Sequence, residues 1–108
     1  MQIPKQIKIG GIIYHVKNEA VVSRDNHNID GEVNYSEQII RLKDVIQGEY
    51  REAVFIHEIV HAMFEFCGIE QDENIVSRLS NALHMVIKDN PEIFEKTGEQ
   101  KEAARCSG

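Results

Sequence analysis

From Glu49 to Phe66 the chain contains neither glycine nor proline, and Val54, Phe55, Ile59, Ala62, Met63 and Phe66 recur at helical spacing. Ile56 and Val60 widen the apolar stripe, which predicts a helix buried on most of its sides. Cys67-Gly68 ends the run, with Gly68 suited to the left-handed cap of a helix C-terminus. A helix apolar around most of its girth must be covered on more than one face. The flanking segments are the cover that the chain itself offers.

The preceding segment reads as strands. Gln6 to Ile9 and Ile12 to Val16 alternate about Gly10-Gly11, a hairpin signal, and Asn18 to Val22 can extend the sheet. Ser23 to Gly31 is rich in Asn, Asp and Gly and is expected to be a loop. Glu32 to Tyr35 and Gln38 to Leu42 form a second strand pair. Downstream, Asp72 to Asp89 carries Ile75, Val76, Leu79, Ala82, Leu83, Val86 and Ile87 at amphipathic spacing, and Asn90-Pro91 ends it. Pro91 to Thr97 can add one short helix. The expected fold is α+β: a small, mostly antiparallel N-terminal sheet, then the central helix, then a second helix. Residues 1–97 are expected to form one domain, and the polar residues 98–108 a frayed tail.

Charge and cysteine content narrow the function classes. Twelve Lys and Arg against 18 Asp and Glu leave a net charge of −6, without a basic stripe. Nucleic acid and anionic membrane are therefore not expected partners, because phosphate binding needs clustered cations. The start of the chain lacks the apolar core of a secretory signal, and no apolar run reaches the length of a membrane span. Two distant cysteines, Cys67 and Cys106, fit a reducing cytoplasmic setting better than a disulfide framework, although a single bridge between them stays open.

Inside the apolar helix stands His57-Glu58-Ile59-Val60-His61. Residues four apart on a helix lie about 40° apart in rotation and one turn apart in height. Two imidazoles so placed can reach one ion, and zinc takes histidine nitrogen readily. Glu58 flanks the same face, where a carboxylate can accept the proton of an attacking water. Polar groups on a buried helix are costly unless satisfied, and coordination of one ion would satisfy the motif. The alternative is a polar patch hydrogen-bonded to the sheet.

A catalytic zinc site needs a third protein ligand and an open position. A common continuation of the motif has glycine three residues after the second histidine and a ligand three beyond that. Phe64 and Cys67 hold those places here. On an unbroken helix Cys67 lies about 240° from His61, so it reads as a buried structural thiol. Glu73 opens the second helix on the face that continues through Val76, Ser80, Leu83, His84 and Ile87, so it should point inward near His61. Asp72 reads better as an N-cap, while Glu70 in the link remains an alternative ligand. His84 is eleven residues beyond Glu73, about 16 Å along a straight helix, too far to share the ion.

His57-Glu58-Ile59-Val60-His61-Ala62, Gly68-Ile69, Glu73-Asn74-Ile75-Val76, Leu79-Ser80 and Lys88-Asp89-Asn90-Pro91 together resemble small phage- and prophage-encoded metallopeptidases of the gluzincin and ImmA/IrrE type. The resemblance spans roughly residues 6–91. It implies one zinc ion held by His57, His61 and Glu73, with Glu58 as general base and a peptide or protein as substrate. Where larger gluzincins place an acidic residue four after the ligating glutamate, this chain has Ser77. The family also supplies an oxyanion-stabilising side chain, for which Tyr35, Tyr50 and His84 are the candidates. A non-catalytic, zinc-stabilised regulatory or protein-binding module would use the same ligands.

Overall fold

The structure, a computed structural model, describes residues 1–94. Its elements run β1 (Gln6–Ile9), β2 (Ile12–Glu19), β3 (Ser23–Arg24), β4 (His27–Asn28), β5 (Gly31–Asn34), β6 (Ile39–Lys43), α1 (Gly48–Cys67), α2 (Glu73–Asp89) and α3 (Pro91–Phe94). The expected α+β order is present. Thr97, the polar tail and Cys106 lie outside the described residues.

Four strands form one sheet in the order β1-β2-β6-β5. β1 and β2 pair antiparallel about Gly10-Gly11, whose φ angles of 59° and 82° are those of a tight hairpin turn. β5 and β6 pair antiparallel as well, with Val33 opposite Ile40. The two hairpins meet through β2 and β6, which run parallel from His15 opposite Ile39 to Glu19 opposite Lys43. Alternation revealed both hairpins, but this long-range parallel join has no local signal. β5 pairs only with β6, so its outer edge is open. Residues 23–28, expected as loop, instead make a two-stranded hairpin, β3–β4. Asp25 and Asn26 turn it with φ of 52° and 65°, conformations their short polar side chains tolerate.

α1 is the middle layer. Phe55 and Ala62 pack with Ile9, Tyr14, Val33, Ile40 and Leu42 from the sheet. Ile56, Val60 and Phe64 pack instead with Val76 of α2 and the half-buried Leu83 and Ile87. Adjacent positions thus feed two different cores, which explains why the apolar set of α1 is so broad. The burial is nonetheless incomplete. Met63 and Phe66, expected in the core, are 41% and 59% exposed, and the Phe66 ring lies over Gly10 of the β1–β2 turn instead. Cys67 is exposed as well and is not the buried thiol its sequence setting implied. Gly68 caps α1 with φ 69°, and its amide donates to the Phe64 and Glu65 carbonyls.

Candidate metal centre

The reversal after Gly68 brings the start of α2 back beside the C-terminal half of α1. The Asp72 carboxylate accepts from the amides of Asn74 (3.0 Å) and Ile75 (3.2 Å), fixing where α2 begins. Val76 and Ser80, both buried, hold the helix against α1. Glu73 is thereby delivered to the one-turn pair His57 and His61. Its Oε1 lies 2.6 Å from His57 Nε2, and its Oε2 lies 3.0 Å from His61 Nε2. The two Nε2 atoms are 3.2 Å apart. Three donor atoms from two helices therefore converge on one point.

The opposite ring nitrogens are spoken for. Gln71 Nε2 donates to the His61 carbonyl (2.9 Å) and to the Tyr35 hydroxyl (3.1 Å), which leaves its Oε1 as the acceptor 2.7 Å from His61 Nδ1. His61 must then carry its proton on Nδ1. Ser80 Oγ donates to the Ser77 carbonyl (3.1 Å) and turns a lone pair toward His57 Nδ1, 3.4 Å away. With Nδ1 so engaged, each ring can present an Nε2 lone pair to an ion shared with the Glu73 carboxylate. Two converging lone pairs beside a carboxylate are mutually repulsive, and a small divalent cation relieves that repulsion. A tetrahedral zinc site, with bonds of about 2.0–2.2 Å, sets its ligand atoms about 3.3–3.6 Å apart. The observed separations, 2.6 to 3.2 Å, need an outward shift of less than about 1 Å. The residues fit the ion.

Glu58 is 7% exposed, and it lines the cavity of about 580 Å³ that His57, His61 and Glu73 also border. Burial raises its pKa to about 7; nearby Arg24 opposes the rise, while Glu73 and Glu32 add to it. Among the described residues the side chains of Glu58, His57 and His61 make no hydrogen bond to the sheet, while the Tyr35 hydroxyl, just past β5, reaches the His61 carbonyl.

The remaining candidates separate clearly. Tyr35 sits beside the centre: its hydroxyl is 3.4 Å from the His61 carbonyl, and it borders a recess shared with His61, Gln71 and Glu73. Burial, then Glu65 and Glu58, push its pKa up to about 12, so it remains a donor. Tyr50 lines the main cavity, but its hydroxyl donates its hydrogen bond to Asp30. His84 pairs with Glu52 at 3.1 Å and does not border the cavity, so the structure does not bring this oxyanion candidate to the site. Ser77 reaches the network only through its backbone carbonyl. Glu70 is exposed and outside the cluster, and Asp72 is committed to capping.

Sequence reasoning missed Gln71 and Ser80 as the groups orienting the histidines, and Arg24 as a cleft residue. Ser80 carried a faint signal, being a lone hydroxyl on the inward stripe of α2. Gln71 carried none, because its role depends on how the link folds. No family model, curated protein or solved structure matches the chain.

Proposed function

We propose that this chain is a zinc-dependent peptidase-type hydrolase, akin to the small phage and prophage metallopeptidases it resembles, acting in the cytoplasm. The observation that carries the reading is Glu58: a buried carboxylate open only to the cavity, beside three convergent donor atoms. A non-catalytic zinc module would have the same ligands but no use for that carboxylate.

His57, His61 and Glu73 would hold the ion. Bound zinc supplies Lewis acidity, lowering the pKa of water and polarising a carbonyl. Glu58 accepts the proton of the attacking water and returns it to the leaving amine. Its burial places the carboxyl near neutrality before any cation is present, and a neighbouring cation favours the ionised form that acts as base. Tyr35, held protonated and donating only over a long 3.4 Å to the His61 carbonyl, can turn its O–H to the oxygen that gains charge. An extended peptide is accommodated along the open edge of β5, whose Gly31 borders the cavity, by strand addition.

Elemental analysis tests the metal and turnover tests the chemistry. The native chain and Glu58→Gln should each hold about one zinc, while His57→Ala, His61→Ala and Glu73→Ala should lose it. On a peptide that the native protein cleaves, Glu58→Gln should lower the rate by about 10²–10⁴-fold. Protein prepared without chelator that contains no zinc, and takes up none, would end the reading. Full metal with no cleavage of any peptide would leave the zinc-stabilised binding module.

A further inference from the structure

We propose that Arg24 makes the cleft a receptor for a carboxylate on the peptide, either the free C-terminal carboxylate of a short chain or an acidic side chain of a longer one. This rests on the hydrolase reading and names the substrate class for that site.

The argument begins with the β3–β4 hairpin. Its two-residue turn at Asp25-Asn26 is closed by the Ile29 amide donating to the Val22 carbonyl at 2.9 Å. Val22 is 1% exposed and roots the hairpin in the body of the molecule. Arg24 stands on this short, anchored arm, opposite His27. It lines the main cavity with His57, Glu58, His61 and Glu73, and also the adjoining recess with Tyr35 and Gln71. It therefore stands where the two spaces meet, beside both the metal ligands and the general base.

Its guanidinium is free to pair, although its charge reaches Glu58 and partly offsets the effect of burial on that carboxyl. Among the described residues lining the main cavity, Arg24 is the only Lys or Arg. The carboxylates there have other commitments: Asp30 to Tyr50, and Glu73 to the two histidines. Glu58 faces the cavity as the base. Among the described residues Arg24 forms no ion pair, whereas Arg41, on the sheet, is held by Glu19, Glu32 and Glu37. A guanidinium presents a planar fork of donors that matches a carboxylate with two parallel hydrogen bonds. In a protein of net charge −6, one unpaired arginine at the mouth of an otherwise acidic cleft is the feature that selects an anion. Two other roles would behave differently. An arginine that only stabilises a developing oxyanion would not distinguish an acid from its amide in the ground state. One that only tunes Glu58 would not do so either.

The test is binding to the zinc-loaded Glu58→Gln protein, which cannot consume the ligand. The probes are acetylated trialanine with a free C-terminus against its C-terminal amide, and acetyl-Ala-Glu-Ala-amide against acetyl-Ala-Gln-Ala-amide, titrated by NMR. The expected result is preference for the acid member of at least one pair by about 10-fold or more, consistent with a charged hydrogen-bonded pair. The pair that shows it identifies the source of the carboxylate. Arg24→Ala should abolish the preference, and Arg24→Lys should retain part of it. Arg24 is exposed on a hairpin, so an unchanged melting temperature serves as the control for folding. Equal binding within both pairs, or no binding by any probe, overturns the proposal. A preference that survives in Arg24→Ala also overturns it, since direct coordination of the carboxylate to zinc would then explain the result. Preference lost with Arg24→Ala in a protein that cleaves nothing leaves the arginine assignment standing while the catalytic reading fails.

Discussion

At the scale of single residues, the site depends on groups that orient as much as on those that ligate. Gln71 aligns His61 through a short acceptor contact to the ring and a donor contact to its carbonyl, while the same amide also donates to the Tyr35 hydroxyl. Replacing it with Ala frees the ring to turn and removes the acceptor that raises its basicity. Zinc affinity measured by competition with a chelator should fall by about 10–100-fold. Glu58 makes the opposite demand. In the metal-free protein its folded pKa of about 7 exceeds the ordinary 4.5, so the folded state retains a proton that the unfolded chain releases. Stability from this group is fully present below pH 4.5 and declines as pH rises through 7. Glu58→Gln should therefore stabilise the chelated protein at pH 8 by on the order of 3 kcal/mol, and much less at pH 4.5. Urea unfolding of both proteins at the two pH values measures this. A carboxylate retained at such a cost is consistent with a chemical role.

At the scale of elements, the close approach of β5 to α1 shapes the cleft. A Cβ on Gly31 would meet Val54 Cγ1 at 2.6 Å, with the Arg41 carbonyl 3.4 Å away. Gly31→Ala must push the edge strand off the helix and should cost about 1–3 kcal/mol in urea unfolding. α2 is held more lightly. Only Val76 and Ser80 of its residues are buried, while Ile75, Leu79 and Val86 remain 53%, 46% and 44% exposed on its outer stripe. Its N-terminal anchor to α1 at the centre is Glu73, and farther along Lys88 pairs with Glu49 and His84 with Glu52. Chelation should accordingly speed amide hydrogen exchange in the first turns of α2 well before it affects β2 and β6, whose inner residues lie in the larger core.

At the scale of the whole molecule, one ion would tie the two cores of a small domain together at the seam between α1 and α2. Zinc at a thousandfold excess over its dissociation constant adds about 4 kcal/mol to stability. In a domain of this size each kcal/mol moves the melting temperature by about 4–8 °C. A scan with and without chelator should therefore differ by more than about 15 °C, and His61→Ala should erase most of the difference. The sequence by itself determined the helices, both hairpins, and the three ligand residues as candidates, because those features depend on periods of two and 3.6 and on spacing along one chain segment. His57 and His61 share a helix face whatever the rest of the molecule does, and Glu73 opens the stripe of its own helix that faces α1, although its side chain is 68% exposed rather than turned into the core. Only the tertiary structure decided the rest. The parallel join of β2 to β6, the hairpin carrying Arg24, the hold of Gln71 and Ser80 on the histidines, and the exposure of Met63, Phe66 and Cys67 each depend on which surfaces meet. Such meetings are set by packing between segments distant in the chain, and no local pattern of residues encodes them.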